Sequence, residues 1–148
     1  MSETVSWRVV ALHIATERRG ELISVDHIDV EAGRGVVGDR YYGTRHRHIS
    51  VQSATSLALA AEQWGYPLEA GSTRRTVTLS GGEVPSTPGS RILLGPLRLE
   101  VVRIAAPCLV MDQINGDGAR RALHGRAGSV CRVLTGGRLN LGDRAQLD

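Results

Sequence analysis

Along the first third of the chain, apolar residues are broken by single polar ones. "SWRVVALHIA" and "ELISVDHIDV" are rich in β-branched residues, and the polar connection "TERRG", with Gly20, suits a hairpin between them. A glycine-rich loop, "EAGRGVVGDRYYGTRHR", leads to the short strand "HISVQ". The period then changes. In "SATSLALAAEQWG", Leu57, Ala61 and Trp64 recur at helical spacing, Ser53 is a good N-cap and Gly65 is placed to end the helix. "RRTVTLSGG" returns to strand, "EVPSTPGS" reads as a loop, and "RILLGPLRLEVVRIA" reads as two strands turning at Gly95-Pro96, with Leu97, Leu99 and Val101 alternating against Arg98 and Glu100.

Beyond Cys108, "NGDGARRALHG" suits a short helix capped by Asp117 and closed by Gly125, and "SVCRVL", "GGR" and "LNLGDRAQL" suit a closing hairpin. Many short strands, glycine-rich turns and one or two short helices predict a mainly β fold, a closed or partly closed β-barrel formed by residues 1–148 as a single domain. At this length roughly 68–70% of the unfolded surface can be buried, so the core needs no disulfide staple.

Composition narrows the chemistry. Every one of the 18 basic residues is arginine. This excludes Schiff-base catalysis, pyridoxal-phosphate attachment and a Walker-type lysine. Arginine favours bidentate recognition of phosphate and carboxylate, and the net charge of +3 agrees with an anionic ligand. No apolar run is long enough to cross a bilayer, and the N-terminus lacks the pattern of a secretory signal. The expected location is cytoplasmic, with Cys108 and Cys131 as free thiols and no membrane partner. Aromatic residues make up 3% of the chain and phenylalanine is absent, so stacking platforms for nucleic acid are scarce.

Several stretches carry candidate chemistry. "GRGVVG" formally matches a dinucleotide fingerprint, but "DRYYGTRHR" follows where a helix should open, so no NAD or flavin site is expected. "HRH" places His46 and His48 on one side of an extended segment, yet no neighbouring group completes a recognisable metal shell. Arg45, Arg47, Arg74, Arg75 and Arg126 all stand at loop-strand junctions, where a barrel presents groups to its mouth. In "HGRAGS", Gly125 and Gly128 flank Arg126 and leave backbone N–H groups open to a phosphate. Cys131, inside "SVCRVL", reads as a small buried hydrophobe. Cys108 differs because it follows Pro107, which cannot continue a sheet ladder. Nearby arginines would favour its thiolate, the form that attacks sulfur or binds a soft metal.

In this order, "GVVGDRYYG", "RHISVQS", "RRTVTLSG", "PGSRILLGPLRLEV", "APC" and "GRAGSVCRVLTGGRLNLGDRAQL" resemble a MOSC domain, the family named for the C-terminal domain of molybdenum cofactor sulfurase, over about residues 30 to 147. The resemblance implies a barrel-like fold. It also implies a cysteine, here Cys108, that ligates molybdenum of a pterin cofactor or carries sulfur as a persulfide. By position Arg47, Arg74, Arg75 and Arg126 match the family's polar site segments, with Arg45, His48 and Gly128 beside them. Two features depart from the family: Thr76 stands where an asparagine is common, and 148 residues leave no room for the additional N-terminal barrel domain of the larger amidoxime-reducing relatives.

Three functions follow as expectations. The leading one is a molybdenum cofactor (molybdopterin) protein that reduces an N-hydroxylated small molecule. It would draw electrons from a separate electron-transfer reductase, since no flavin or iron-sulfur motif is present. The second is a persulfide carrier supplied by a cysteine desulfurase. The third is a non-catalytic anion-binding module.

Overall fold

The computed structural model describes residues 7–107 and 109–147, with Leu109 and Val110 described as helical backbone only. Cys108 lies outside the described residues.

The alternation predicted for the second strand of the Gly95-Pro96 hairpin is present in β8 (Leu97–Ile104), where Leu97, Leu99 and Val101 are buried and Arg98 is exposed. Its partner is β7 (Arg91–Leu94). Six further elements complete the main sheet: β1 (Trp7–Ile14), β2 (Ile23–Val25), β5 (Ile49–Ser53), β6 (Val77–Leu79), β9 (Ser129–Thr135) and β11 (Arg144–Leu147). The order is β11-β7-β8-β9-β5-β6-β1, and Trp7 and Arg8 of β1 pair with Ala145 and Arg144 of β11, so seven strands close into a barrel. Within this ring β5 and β6 run parallel, and the other neighbours are antiparallel. Strand β2 extends the free edge of β1, from Leu12↔Val25 to Ile14↔Ile23, which is the predicted hairpin.

The predicted second arm of that hairpin is divided at Asp26. Strand β3 (His27–Glu31) leaves the barrel and joins β4 (Gly35–Val36) and β10 (Gly137–Asn140) in a three-stranded sheet. Its buried Ile28, Val30, Val36 and Leu139 share one apolar core with the barrel interior. The closing hairpin is therefore not formed, because β10 pairs with β3 while β11 returns to β1 and β7. The "GRGVVG" segment is strand β4 and its flanking turns, with no helix to meet a pyrophosphate.

Helix α1 (Ala54–Trp64) forms as its caps predict. Ser53 Oγ accepts the Ser56 N–H at 3.1 Å, and Gly65, in the left-handed region, closes the last turn onto the Ala61 carbonyl at 2.8 Å. Two further helices follow β8: α2 (Leu109–Asn115), which the apolar pattern after Pro107 did not announce, and α3 (Ala119–Leu123). The α3 cap residues are Gly118 and His124, not Asp117 and Gly125. Gly118 sits against the Trp64 indole, where a Cβ would meet Nε1 at 2.8 Å, and Trp64 Nε1 donates to the Asp117 carbonyl at 2.8 Å. Contact with α1 thus fixes where α3 begins. Leu57, Ala60, Met111, Leu123, Ala127 and Val130 form a second, smaller core under these helices. No helix among the described residues is long and apolar enough to cross a membrane.

Candidate functional site

The two cores meet along Ala127-Gly128, the approach to β9. Gly128 has φ +86, and a Cβ there would collide with the Val51 carbonyl, so only glycine lets this backbone lie against the end of β5. The same turn is held from two other sides: the Gly128 carbonyl accepts the Ala105 N–H at 2.8 Å, and the Ala127 carbonyl accepts Arg75 Nε at 2.8 Å. Ser129 Oγ adds a bond to the Pro85 carbonyl at 2.6 Å.

This junction walls a cleft of about 600 Å³, within the range of small-molecule sites. One side carries the hydroxyls of Ser53, Thr55 and Ser56 at the start of α1, and the other carries Gly125, Arg126 and Gly128. Arg126 is half-buried and donates to Gln63 Oε1 at 2.7 Å, which orients its guanidinium along the helix. Glu83 and Ser86, from the loop after β6, close the polar rim. Ile104 forms part of the wall because a register shift between Val101 and Arg103 ends the alternation of β8 and leaves this side chain 43% exposed. From Ile104 the chain runs through Ala105, Ala106 and Pro107 into Cys108.

The predicted arginines divide into two groups. Arg75 and Arg126 approach Ala127-Gly128 from opposite sides, Arg75 from the buried face and Arg126 from the cleft. Arg74 adopts φ +62, and its carbonyl accepts Arg40 Nη2 at 3.3 Å. Arg40 is itself ion-paired at 3.0 Å with Asp39, whose carboxylate is buried and also accepts the Ala15 and Tyr41 N–H groups. The Tyr41 ring carries Arg40 at 4.5 Å and Arg47 at 4.1 Å. A single chain of contacts therefore links "GDRYYG", Arg47 and Arg74. Arg45 is exposed on the same loop.

His48 turns inward. It is 2% exposed, its Nδ1 accepts the Val133 N–H at 3.0 Å, and its Nε2 is 2.8 Å from the Thr44 carbonyl. With both nitrogens engaged, the ring braces β5 against β9 and has no atom left for a cofactor. Burial lowers its pKa. His46 instead contacts Arg132 at 3.0 Å. Cys131 is fully buried in the barrel core, and burial pushes its thiol up to about 12. Thr76, the departure from the family pattern, directs its polar groups inward: its N–H donates to Ser50 Oγ at 3.0 Å and its hydroxyl faces the Ser50 N–H at 3.5 Å.

A MOSC domain family model matches residues 38–146. The chain belongs to the MOSC domain family. Among solved structures, this MOSC domain is similar to the YuaD protein from Bacillus subtilis, with a TM-score of 0.82 and 22% identity over 98% of this chain and 97% of that one. It is also similar to YiiM from Geobacillus stearothermophilus, with a TM-score of 0.74 and 18% identity over 96% and 75% of the two chains. For YiiM from Escherichia coli the TM-score is 0.69 and the identity 14%, over 95% and 69%. At these identities the likeness is one of fold. No curated protein matches the chain.

The sequence reading omitted the hydroxyl wall and Gln52. Gln52 is buried between β5 and β6, where its Nε2 donates to the Ala70 carbonyl at 3.0 Å and to Thr78 Oγ1 at 2.8 Å, and its Oε1 accepts the Thr73 hydroxyl. It anchors the turn of 3-10 helix, Ala70–Thr73, that delivers Arg74 and Arg75. The signal was a glutamine beside Ile49 and Val51 in a fully buried short strand. For the wall it was "SATS", in which the N-cap serine is followed by two further hydroxyls.

Proposed function

We propose that this MOSC domain holds a molybdenum-pterin cofactor in the cleft between α1 and Arg126 and reduces N-hydroxylated small molecules. The observation that carries this reading is the cleft itself: a hydroxyl wall opposite an arginine and a glycine turn, at the strand end that leads into Cys108. Its volume and donors suit a pterin with a phosphate tail. Thr55, Ser56 and the open backbone at Gly125 offer hydrogen bonds, and Arg126 offers a guanidinium to the phosphate. Among the described residues no three His, Cys, Asp or Glu side chains gather to hold a metal, and the soft ligand in this reading is the Cys108 thiolate.

A molybdenum centre, when bound, supplies two-electron chemistry at oxygen. The chain's own residues bind and orient. Arg75 fixes the Ala127 carbonyl from beneath, so the glycine turn and Arg126 hold their places before a ligand arrives. Ile104 and Val84 give one side of the cleft an apolar surface. The overall change consumes two electrons and two protons per N-hydroxyl group, breaking the N–O bond to leave an amine and water. A separate reductase supplies the electrons.

The test is reduction of an N-hydroxylated base by protein purified from a cofactor-producing host, with a reduced viologen as electron donor. Amine formation by the wild type, lost in Cys108→Ala and retained in Cys131→Ala, is expected. Equal rates in wild type and Cys108→Ala would refute this function.

A further inference from the structure

A second cleft, of about 670 Å³, opens immediately beyond the first along the same strand end. Ala106 and Pro107 form one side of it, and the α3 segment supplies Arg120, Arg121 and His124. All three side chains are exposed, and among the described residues none of them has a hydrogen-bonding or ion-pairing partner. Other exposed arginines, among them Arg98 and Arg103, also have no such partner among the described residues; Arg120 and Arg121 differ in that they line one cleft together with His124. Among the described residues the one carboxylate lining the cleft belongs to Asp112, and its Oδ1 accepts the Arg120 backbone N–H at 2.9 Å. Asp112 thus fastens α3 to α2, and the two guanidinium heads outnumber it.

The basic face is also held in place. Trp64 anchors the residue before Gly118, Ala119 and Leu123 are buried, and Asn115 Nδ2 donates to the Ser72 carbonyl at 3.2 Å. Unpaired like charges on a fixed element repel one another, and an anion between them relieves that repulsion. Two arginines on adjacent positions suit the several acceptor oxygens of a phosphate better than a single carboxylate.

We propose that the cleft formed by Arg120, Arg121 and His124 is a substrate-phosphate subsite: it takes the phosphomonoester end of the N-hydroxylated substrate, whose other end lies towards Ala106 and Pro107. The inference rests on the reductase reading for the identity of the substrate, whereas the phosphate site itself can be measured without cofactor. It makes the enzyme selective for phosphorylated substrates.

The experiment has two arms. In the first, the full cofactor-free chain is titrated with phenyl phosphate and, separately, with inorganic phosphate, while the side-chain N–H resonances of Arg120, Arg121 and Arg126 and the His124 ring are followed by NMR. Saturable shifts at Arg120, Arg121 and His124 are expected with phenyl phosphate. Its affinity should fall at least about tenfold in Arg120→Gln/Arg121→Gln and be unchanged in Arg126→Gln. Shifts confined to Arg126, no saturation, or saturation by inorganic phosphate alone would overturn the subsite. In the second arm, KM is compared for an N-hydroxylated base bearing a phosphomonoester and the same base without it. The double variant should raise KM for the phosphorylated compound alone and leave kcat unchanged. Equal KM values for the two compounds in the wild type would overturn the proposal even with the reductase activity intact. If phosphate binds as described and no reduction occurs, the reductase reading fails and the anion subsite stands.

Discussion

The barrel side of the molecule and its helical side treat polar groups in opposite ways. On the barrel side His48, Gln52, Thr73, Thr76 and Asp39 are buried, and each finds its partners within the chain. On the helical side Arg120, Arg121 and Arg126 line clefts, as do the hydroxyls of Thr55 and Ser56. The two arginines that bracket Ala127-Gly128 show the contrast most directly: Arg75 is 5% exposed and spends its Nε on a carbonyl, whereas Arg126 stands in the cleft wall. Satisfied polar groups specify the fold, and groups left to solvent are the ones available to a ligand.

The largest effect that would break this contrast is expected at Asp39. Replacing it by Asn removes the charge opposite Arg40 in a pair whose side chains are 1% and 5% exposed. It should cost about 3–5 kcal/mol of folding stability, read from denaturant midpoints. A loss close to zero would mean that the pair is not confined as described. Next comes Gly128→Ala, which combines a positive φ with collision against the Val51 carbonyl and should cost about 3 kcal/mol. Its destabilisation should exceed that of Gly125→Ala, since Gly125 meets nothing within 4 Å. Ser53→Ala removes the α1 cap and should cost about 1 kcal/mol, placing the hydroxyl wall's structural share well below that of the barrel's polar groups.

The last effect is a slope that shows only at high pH. Cys131 has a folded-state pKa of about 12 against an ordinary value of 9.0, so folding favours its neutral thiol. The resulting stability is complete below pH 9.0 and is lost progressively as pH rises towards 12, where the unfolded chain has already ionised. Cys131→Ala should flatten the fall in stability over that range. An unchanged slope would show that the thiol is not sealed in the core.

The barrel was legible because its strands follow period two. Leu97, Leu99 and Val101 are buried as their alternation requires, and Ser53 and Gly65 bound α1 as their cap chemistry requires. Connections that depend on distant contacts were not legible. Strand β10 departs to β3 because Leu139 completes the core formed by Ile28, Val30 and Val36, which no local pattern near "GGR" reveals. Asp117 is a better N-cap by type than Gly118, yet the Trp64 indole sets the start of α3. In the candidate site, Arg126 and Gly128 were found from their glycine-flanked setting, and both line the cleft. For His48, "HRH" gives no sign of which ring turns into the barrel. The arginine pair in "RRTV" gives no sign that Arg75 Nε supports the turn that carries Arg126.

The cofactor content of the purified protein tests the central claim most directly. Wild type, Cys108→Ala, Cys131→Ala and Arg126→Ala are prepared from a cofactor-producing host, and molybdenum and pterin are quantified per chain. The account predicts molybdenum and pterin in equal amounts in wild type and Cys131→Ala, molybdenum lost in Cys108→Ala, and both reduced in Arg126→Ala. Wild type carrying no more of either than Cys108→Ala and Arg126→Ala would contradict it.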